Sequence, residues 1–306
     1  MTGYIIRRIL WMIPLLWAVT TVTFFLMHLV PGGPFDQEKQ LPPAALENLE
    51  KRYNLDKPLL QQYGLYIWGV AQGDLGISFR QDREVTDILR DGFWVSAQLG
   101  LITFAFAMVV GMFLGVFSAL NQNNLLDYVG VFIATVGASM PNFIAATLLV
   151  LIFSVQLGWF DVLGWEFGNY RKMVLPVLSL GLLPAAYVAR ITRASMLEVL
   201  GQDYIRTARA KGLRERVVVL RHAVKNAMIP VLTVAGPIFA ILVTGSFIVE
   251  RIFQINGVGR PFVDAVFRRD YGVIMGTTIF YATVVAIANL VVDILYAAVD
   301  PRIRYQ

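Results

Sequence analysis

The chain has 306 residues, of which 57% are hydrophobic and 15% charged, and a formal charge of +5. Soluble domains carry nearer a quarter charged residues, so long apolar runs and few charges point to a membrane protein rather than a soluble basic domain that grips nucleic acid. Cysteine is absent and only His28 and His222 are present, which excludes disulfides and thiolate chemistry and argues against a His-based metal site; without GxxxxGK[ST] the chain is no P-loop ATPase by itself.

About 20 apolar residues cross a bilayer core as a helix. Six stretches qualify: Ile9–Val30, Trp94–Leu120, Tyr128–Leu157, Val174–Met196, Ile229–Val249 and Val273–Val299. The expected fold class is an all-α membrane protein with six transmembrane helices. The first span is too long for a cleaved signal peptide, and the PGGPF that follows lacks a small-x-small cleavage site. Arg7 and Arg8 precede it and place the N-terminus in the cytoplasm. Six crossings return the C-terminus, with Arg302 and Arg304, to the same side.

Pro31 to Phe93 then lies outside, with acids in excess of bases. LPPAALENLEKRYNL reads as an exposed helix entered by prolines. KPLLQQYGLYIWGV reads as an amphipathic interfacial helix, and GDLGIS as a turn. The chain thus divides into 1–30, an N-terminal segment with the first span; 31–93, an extracytoplasmic segment; and 94–306, a five-span core. That core carries a basic loop at about 197–228.

Prolines recur within the spans, and Pro141 stands out because SMPN surrounds it. A backbone break there is tolerated only inside protein or beside water. Ser139, Met140, Pro141 and Asn142 are therefore candidates for a polar path. Glu250 and His28 fall at the outer ends of spans, where water is near, and Glu250 is a candidate for meeting a cationic peptide terminus or a nearby Arg. Arg190 and Asp293 fall near the inner ends of spans four and six and form a candidate structural pair.

The most basic short loop follows span four: Arg193, Arg206, Arg209, Lys211, Arg214, Arg216, Arg221 and Lys225. Within it, DYIRTARAKG predicts a short helix over Asp203–Lys211. Asp203 caps its start, Tyr204, Ile205 and Ala208 form a small apolar patch, and Gly212 ends it through a left-handed residue. On these features alone, a loop resting on anionic lipid headgroups is an equal reading.

The run RASMLEVLGQDYIRTARAKGLRERVVVLRHAVKNAMIPVLT, Arg193 to Thr233, resembles the cytoplasmic EAA loop of binding-protein-dependent ABC import permeases. The motif glycine falls on Gly212, and its opening positions fall on Arg206, Thr207 and Ala208, so the eponymous glutamate is absent. PGGPF, LPP, YNLDKPLLQQY, GDLGIS, SMPNF, TGSFIVERIFQINGVGR, RDYGVIMG and VDILYAAVDPRIRY extend the resemblance to the B-type permease of oligopeptide importers, over nearly the whole chain. Dipeptide, nickel and glutathione permeases share several of these motifs.

The resemblance implies a type I ABC importer permease fold in the bacterial plasma (inner) membrane, with both termini cytoplasmic. It implies a second, homologous permease subunit, two ATPase subunits, an extracytoplasmic peptide-binding protein and a peptide substrate. This chain would bind no cofactor and catalyse no reaction; ATP and Mg would belong to the partner subunits. Asp203, Tyr204, Ile205, Arg206, Thr207, Ala208, Arg209, Ala210, Lys211 and Gly212 would form the coupling helix that docks into an ATPase. A carrier driven by an ion gradient is the contrasting reading, and the scarcity of intramembrane acids weighs against it.

Overall fold

A computed structural model describes residues 2–35 and 43–299. The LP of LPP, at 41–42, and the C-terminal Arg302 and Arg304 lie outside the described residues. The described residues are mostly helical. Among the described residues the one extended pairing is an isolated antiparallel bridge between Ile77 and Glu84.

Five helices are long and apolar enough to cross a membrane: Ile5–Leu29, Val85–Leu120, Tyr170–Leu200, Glu215–Ile252 and Tyr271–Val292. The stretch expected as one continuous third span is instead two helical pieces, Asp127–Gly137 and Asn142–Gln156, set at 104°. Counting that bent pair as one span gives six. The cause is local. Pro141 has no N–H to continue the ladder, and its ring drives Met140 out of the helical region, to φ −94° and ψ 118°.

Contacts divide the chain into two compact units, residues 1–96 with 255–306 and residues 97–254. The first unit contains α1 (Thr2–Leu29), α2 (Pro43–Arg52) and α3 (Leu59–Ala71). It also holds the opening turns of α4 (Val85–Leu120), together with α12 (Gly259–Arg268) and α13 (Tyr271–Val299). Here α1 and α12 pack on α13, and α3 touches α1. Its core is Val85, Ile88, Leu89, Val258, Ala265, Val273 and Ile274. The exposed faces of α1 carry Trp11, Ile13, Trp17 and Leu26, which suits contact with lipid rather than water. Asp270, nearly fully buried, accepts bonds from Ser78 Oγ (2.5 Å), Phe79 N (3.1 Å) and Arg80 N (3.3 Å), and so ties the 78–80 turn to the start of α13.

The second unit contains the rest of α4, α5 (Leu125–Ser139), α6 (Asn142–Leu149), α7 (Tyr170–Leu200) and α8 (Asp203–Ala210). One further turn, α9 (Glu215–Val217), leads to α10 (Lys225–Val243) and α11 (Phe247–Ile252). Val150–Gln156 and Val218–Val224 wind as π-helix. The helix α7 is the hub, packed by α5, α6, α10 and α11. Small residues make this possible, because helices in lipid associate through close van der Waals contact. On α4, Gly111 and Gly115 sit one GxxxG step apart against α7. A Cβ at Gly111 would lie 2.7 Å from the Ala185 carbonyl oxygen, and one at Gly115 would lie 2.5 Å from the Thr192 side chain.

Candidate functional site

The predicted short helix exists as α8, Asp203–Ala210. Its C-terminal end forms a Schellman motif. Gly212 N donates to Arg209 O (2.9 Å) and Leu213 N to Ala208 O (3.4 Å). Gly212 itself is at φ +76°, and a Cβ there would meet nothing within 4 Å. The glycine is therefore required by backbone conformation, not by crowding.

Two expectations about α8 change. The N-cap is Gln202, without a side-chain cap bond, and Asp203 is the first helical residue. The Asp203 carboxylate instead complements the positive end of the helix and pairs loosely with Arg206, at 3.5 Å. The apolar patch also divides. Ile205 and Ala208 are buried against Met196, Val218, Val219 and Ala223 of the same chain. A helix of eight residues cannot hold itself in water, so the strongest apolar pair, three residues apart, goes to anchoring it. The face left exposed carries Tyr204, Arg206, Thr207, Arg209, Ala210 and Lys211, with Leu213 just beyond. Tyr204 is oriented by a bond from Asn226 Nδ2 to its hydroxyl (2.9 Å), and Arg209 is forked onto Glu215 at 3.1 and 2.7 Å.

The same unit holds a residue that sequence reading overlooked. Asp127, at the start of α5, has a buried carboxylate that receives Arg193 Nε (2.8 Å) and Nη2 (2.7 Å), Asn123 N (3.1 Å) and the Ser118 hydroxyl. Arg193 was legible only as one cation among the eight of the basic region. A lone acid opening one span and an arginine closing another were the available signal. The other expected pair does not gain support in this way: Arg190 is exposed on α7, and the side chain of Asp293 lies outside the described residues.

At the broken span, the Ser139 hydroxyl donates back to Thr135 O at 2.8 Å, Met140 is the extended residue at the break, and Pro141 precedes the first turn of α6. Asn142 lines a largely apolar cavity of about 370 Å³ with Pro184, Tyr187, Leu242 and Ser246. Of the four break residues, Asn142 is the one on that cavity wall. Glu250 departs from expectation: it is fully buried rather than near water. Its Oε1 accepts from Ser246 N (3.2 Å) while Ser246 Oγ accepts from Val249 N (3.4 Å), so the two close the start of α11 reciprocally.

The sequence matches the model of the family described as binding-protein-dependent transport system inner membrane component over residues 111–305, and that family's N-terminal model over residues 1–100. It is 44% identical over 306 residues, all of both chains, to the oligopeptide transport system permease protein OppB of Escherichia coli (strain K12). It is equally 44% identical to the dipeptide transport system permease protein DppB of Bacillus subtilis (strain 168), over 99% of this chain and 98% of that one. Among solved structures, the inward-facing MetNI methionine ABC transporter superposes with a TM-score of 0.58 at 19% identity, covering 70% of this chain and 97% of that chain. An amino acid ABC transporter with histidines gives 0.54 at 17% identity, covering 70% and 94%.

Proposed function

Because the chain belongs to the family of binding-protein-dependent transport system inner membrane components, we propose that it is the membrane-spanning permease subunit of an ATP-driven peptide importer, with α8 as its coupling helix. It is a multi-pass inner-membrane protein, homologous along its whole length to permeases of oligopeptide and dipeptide systems. Equal identity to both leaves the substrate class as short peptides. In this reading the termini and α8 face the cytoplasm, and the bent pair around Pro141 completes six spans. A second permease shares the path, two ATPase subunits hold ATP and Mg, and a binding protein delivers peptide from outside.

The observation that carries the coupling role is the anchoring of α8. Its inward face is fused to the ends of α7 and α10 through one apolar cluster, while its outward face is exposed and polar. A rigid body so placed transmits displacement to the spans it is packed on. Asn142 and Ser246, on the cavity beside the break, supply polar groups suited to a peptide backbone.

The absence of cysteine makes the test clean. Ala210→Cys places the sole thiol of this chain on the exposed face of α8. In membranes containing the partner ATPases, a short bifunctional reagent with one thiol-reactive and one amine-reactive end is expected to join this chain to an ATPase, with a yield that changes when ATP is trapped. Crosslinks to lipid or to nothing, in a complex that still transports peptide, would reject the coupling role. Uptake that persists without ATPases and collapses with an ionophore would reject the importer itself.

A further inference from the structure

The first unit has a half-open cavity of about 250 Å³ between the end of α1, the α2–α3 turn, α3 and the start of α13. Aromatic rings form a chain around it: His28 stands 5.2 Å from Tyr271, Tyr271 stands 6.3 Å from Phe79, and Phe79 stands 4.4 Å from Tyr53. Two polar atoms on this wall, His28 Nε2 and Tyr66 Oη, are buried and have no hydrogen-bond partner among the described residues. Buried polar atoms in that state are uncommon and costly.

The proton on His28 is fixed by its neighbour. Nδ1 lies 2.8 Å from the Phe24 carbonyl oxygen, and a carbonyl only accepts, so Nδ1 carries hydrogen. In the neutral ring Nε2 is then a bare acceptor. Asp74 also lines the cavity, and its carboxylate has no cationic partner among the described residues; Oδ1 accepts from Gly76 N at 2.8 Å. Arg52, the cation on the same wall, is already engaged. It pairs with Asp82 at 2.6 Å and lies 5.7 Å over the Tyr53 ring.

The geometry points to a binding site for a primary ammonium group, held by the aromatic faces, the His28 Nε2 lone pair and the Asp74 carboxylate. Ring faces attract cations. A free lone pair and a carboxylate add hydrogen-bond acceptors that an N–H-bearing cation satisfies and a quaternary one leaves empty. Anions are disfavoured because the inward-facing acceptors repel them. The ammonium can belong to a soluble amine, including a peptide terminus, or to an ethanolamine lipid headgroup. The chemistry of the cavity stands independently of what the chain transports.

The chain has two histidines, so ¹⁵N-imidazole NMR of the full-length protein reads His28 directly, with His222→Gln to assign it. In phosphatidylcholine nanodiscs and amine-free buffer, ethylammonium chloride is expected to shift the His28 Nε2 signal saturably. Tetramethylammonium should do so severalfold more weakly, and sodium chloride not at all. Asp74→Asn and Tyr66→Phe should each weaken the ethylammonium response severalfold. A soluble amine as the source is indicated when phosphatidylethanolamine nanodiscs leave that titration unchanged. A lipid source is indicated when they shift His28 without added amine and block ethylammonium. An absent response, an equal one to sodium chloride, or one unchanged in both variants overturns the site.

Discussion

Arg193 grips Asp127 with two parallel hydrogen bonds, at 2.8 and 2.7 Å, across 66 residues of sequence. The forked geometry matches guanidinium to carboxylate, and the side chain of Asp127 is only 3% exposed. Together with the Ser118 hydroxyl, it joins the end of α4, the start of α5 and the last third of α7.

Removing one partner leaves a buried charge uncompensated. Arg193→Ala is therefore expected to cost about 3 kcal/mol, the lower end for a broken buried pair because the Arg193 side chain is only part-buried. Thermal unfolding of the detergent-purified protein measures it. Adding Asp127→Asn to Arg193→Ala should restore part of the loss, since it removes the stranded charge. A single variant as stable as wild type would show that the pair carries no net stability.

Gly212 lies at φ +76° in open space, which separates conformation from crowding. Gly212→Val should strain the end of α8 by about 1–2 kcal/mol and uncouple ATP hydrolysis from peptide uptake without impairing insertion. Gly212→Asn, which tolerates the left-handed region, should retain most coupling. Uptake per ATP hydrolysed in reconstituted vesicles distinguishes the two, and equal behaviour would remove the conformational argument.

The two faces of α8 should respond differently. Ile205→Ala creates a void in the cluster under the helix and is expected to cost about 2–4 kcal/mol, visible as a lowered melting temperature of the isolated chain. Thr207→Trp and Ala210→Trp, on the exposed face, should leave that temperature unchanged and reduce ATPase co-purification. The opposite pattern would reverse the assignment of the faces.

Burial, with the Asp74 carboxylate nearby, holds the Tyr66 phenol well above its ordinary value of 10.0. In the unfolded chain the phenol ionises at that ordinary value, while the folded chain keeps its proton. The stability it contributes is thus intact below about pH 10 and is lost as pH rises from there toward the folded value. Tyr66→Phe should flatten this alkaline loss in denaturant titrations between neutral and strongly basic pH. At neutral pH it should be no less stable than wild type, since it removes a buried hydroxyl without a partner.

The extent of α8 was legible because its stop signal is local: Gly212 must take a conformation that other residues resist. Which way its apolar residues face was not legible. Ile205 and Ala208 read identically whether they anchor the helix or dock a partner, and the answer depends on Met196 and Val218 being brought alongside. Pro141 announced a break, but the 104° between the two pieces was not legible, because a missing N–H fixes where a helix stops and not where the next one points. The burial of Glu250 was not legible, because hydropathy reports position along a span and says nothing of what covers it. Asp127 and Arg193 were each visible, but their meeting is a property of the helix bundle, not of either neighbourhood.

The anchoring of α8 also separates two kinds of sequence freedom. Its inner residues share one apolar cluster with the ends of two flanking helices, so they are constrained by the permease's own architecture. Its outer residues, Tyr204, Thr207, Ala210 and Leu213, lie outside that cluster and form exposed surface. If α8 couples as proposed, the chain could be matched with a different ATPase by rewriting a handful of surface positions, leaving the cluster beneath them untouched.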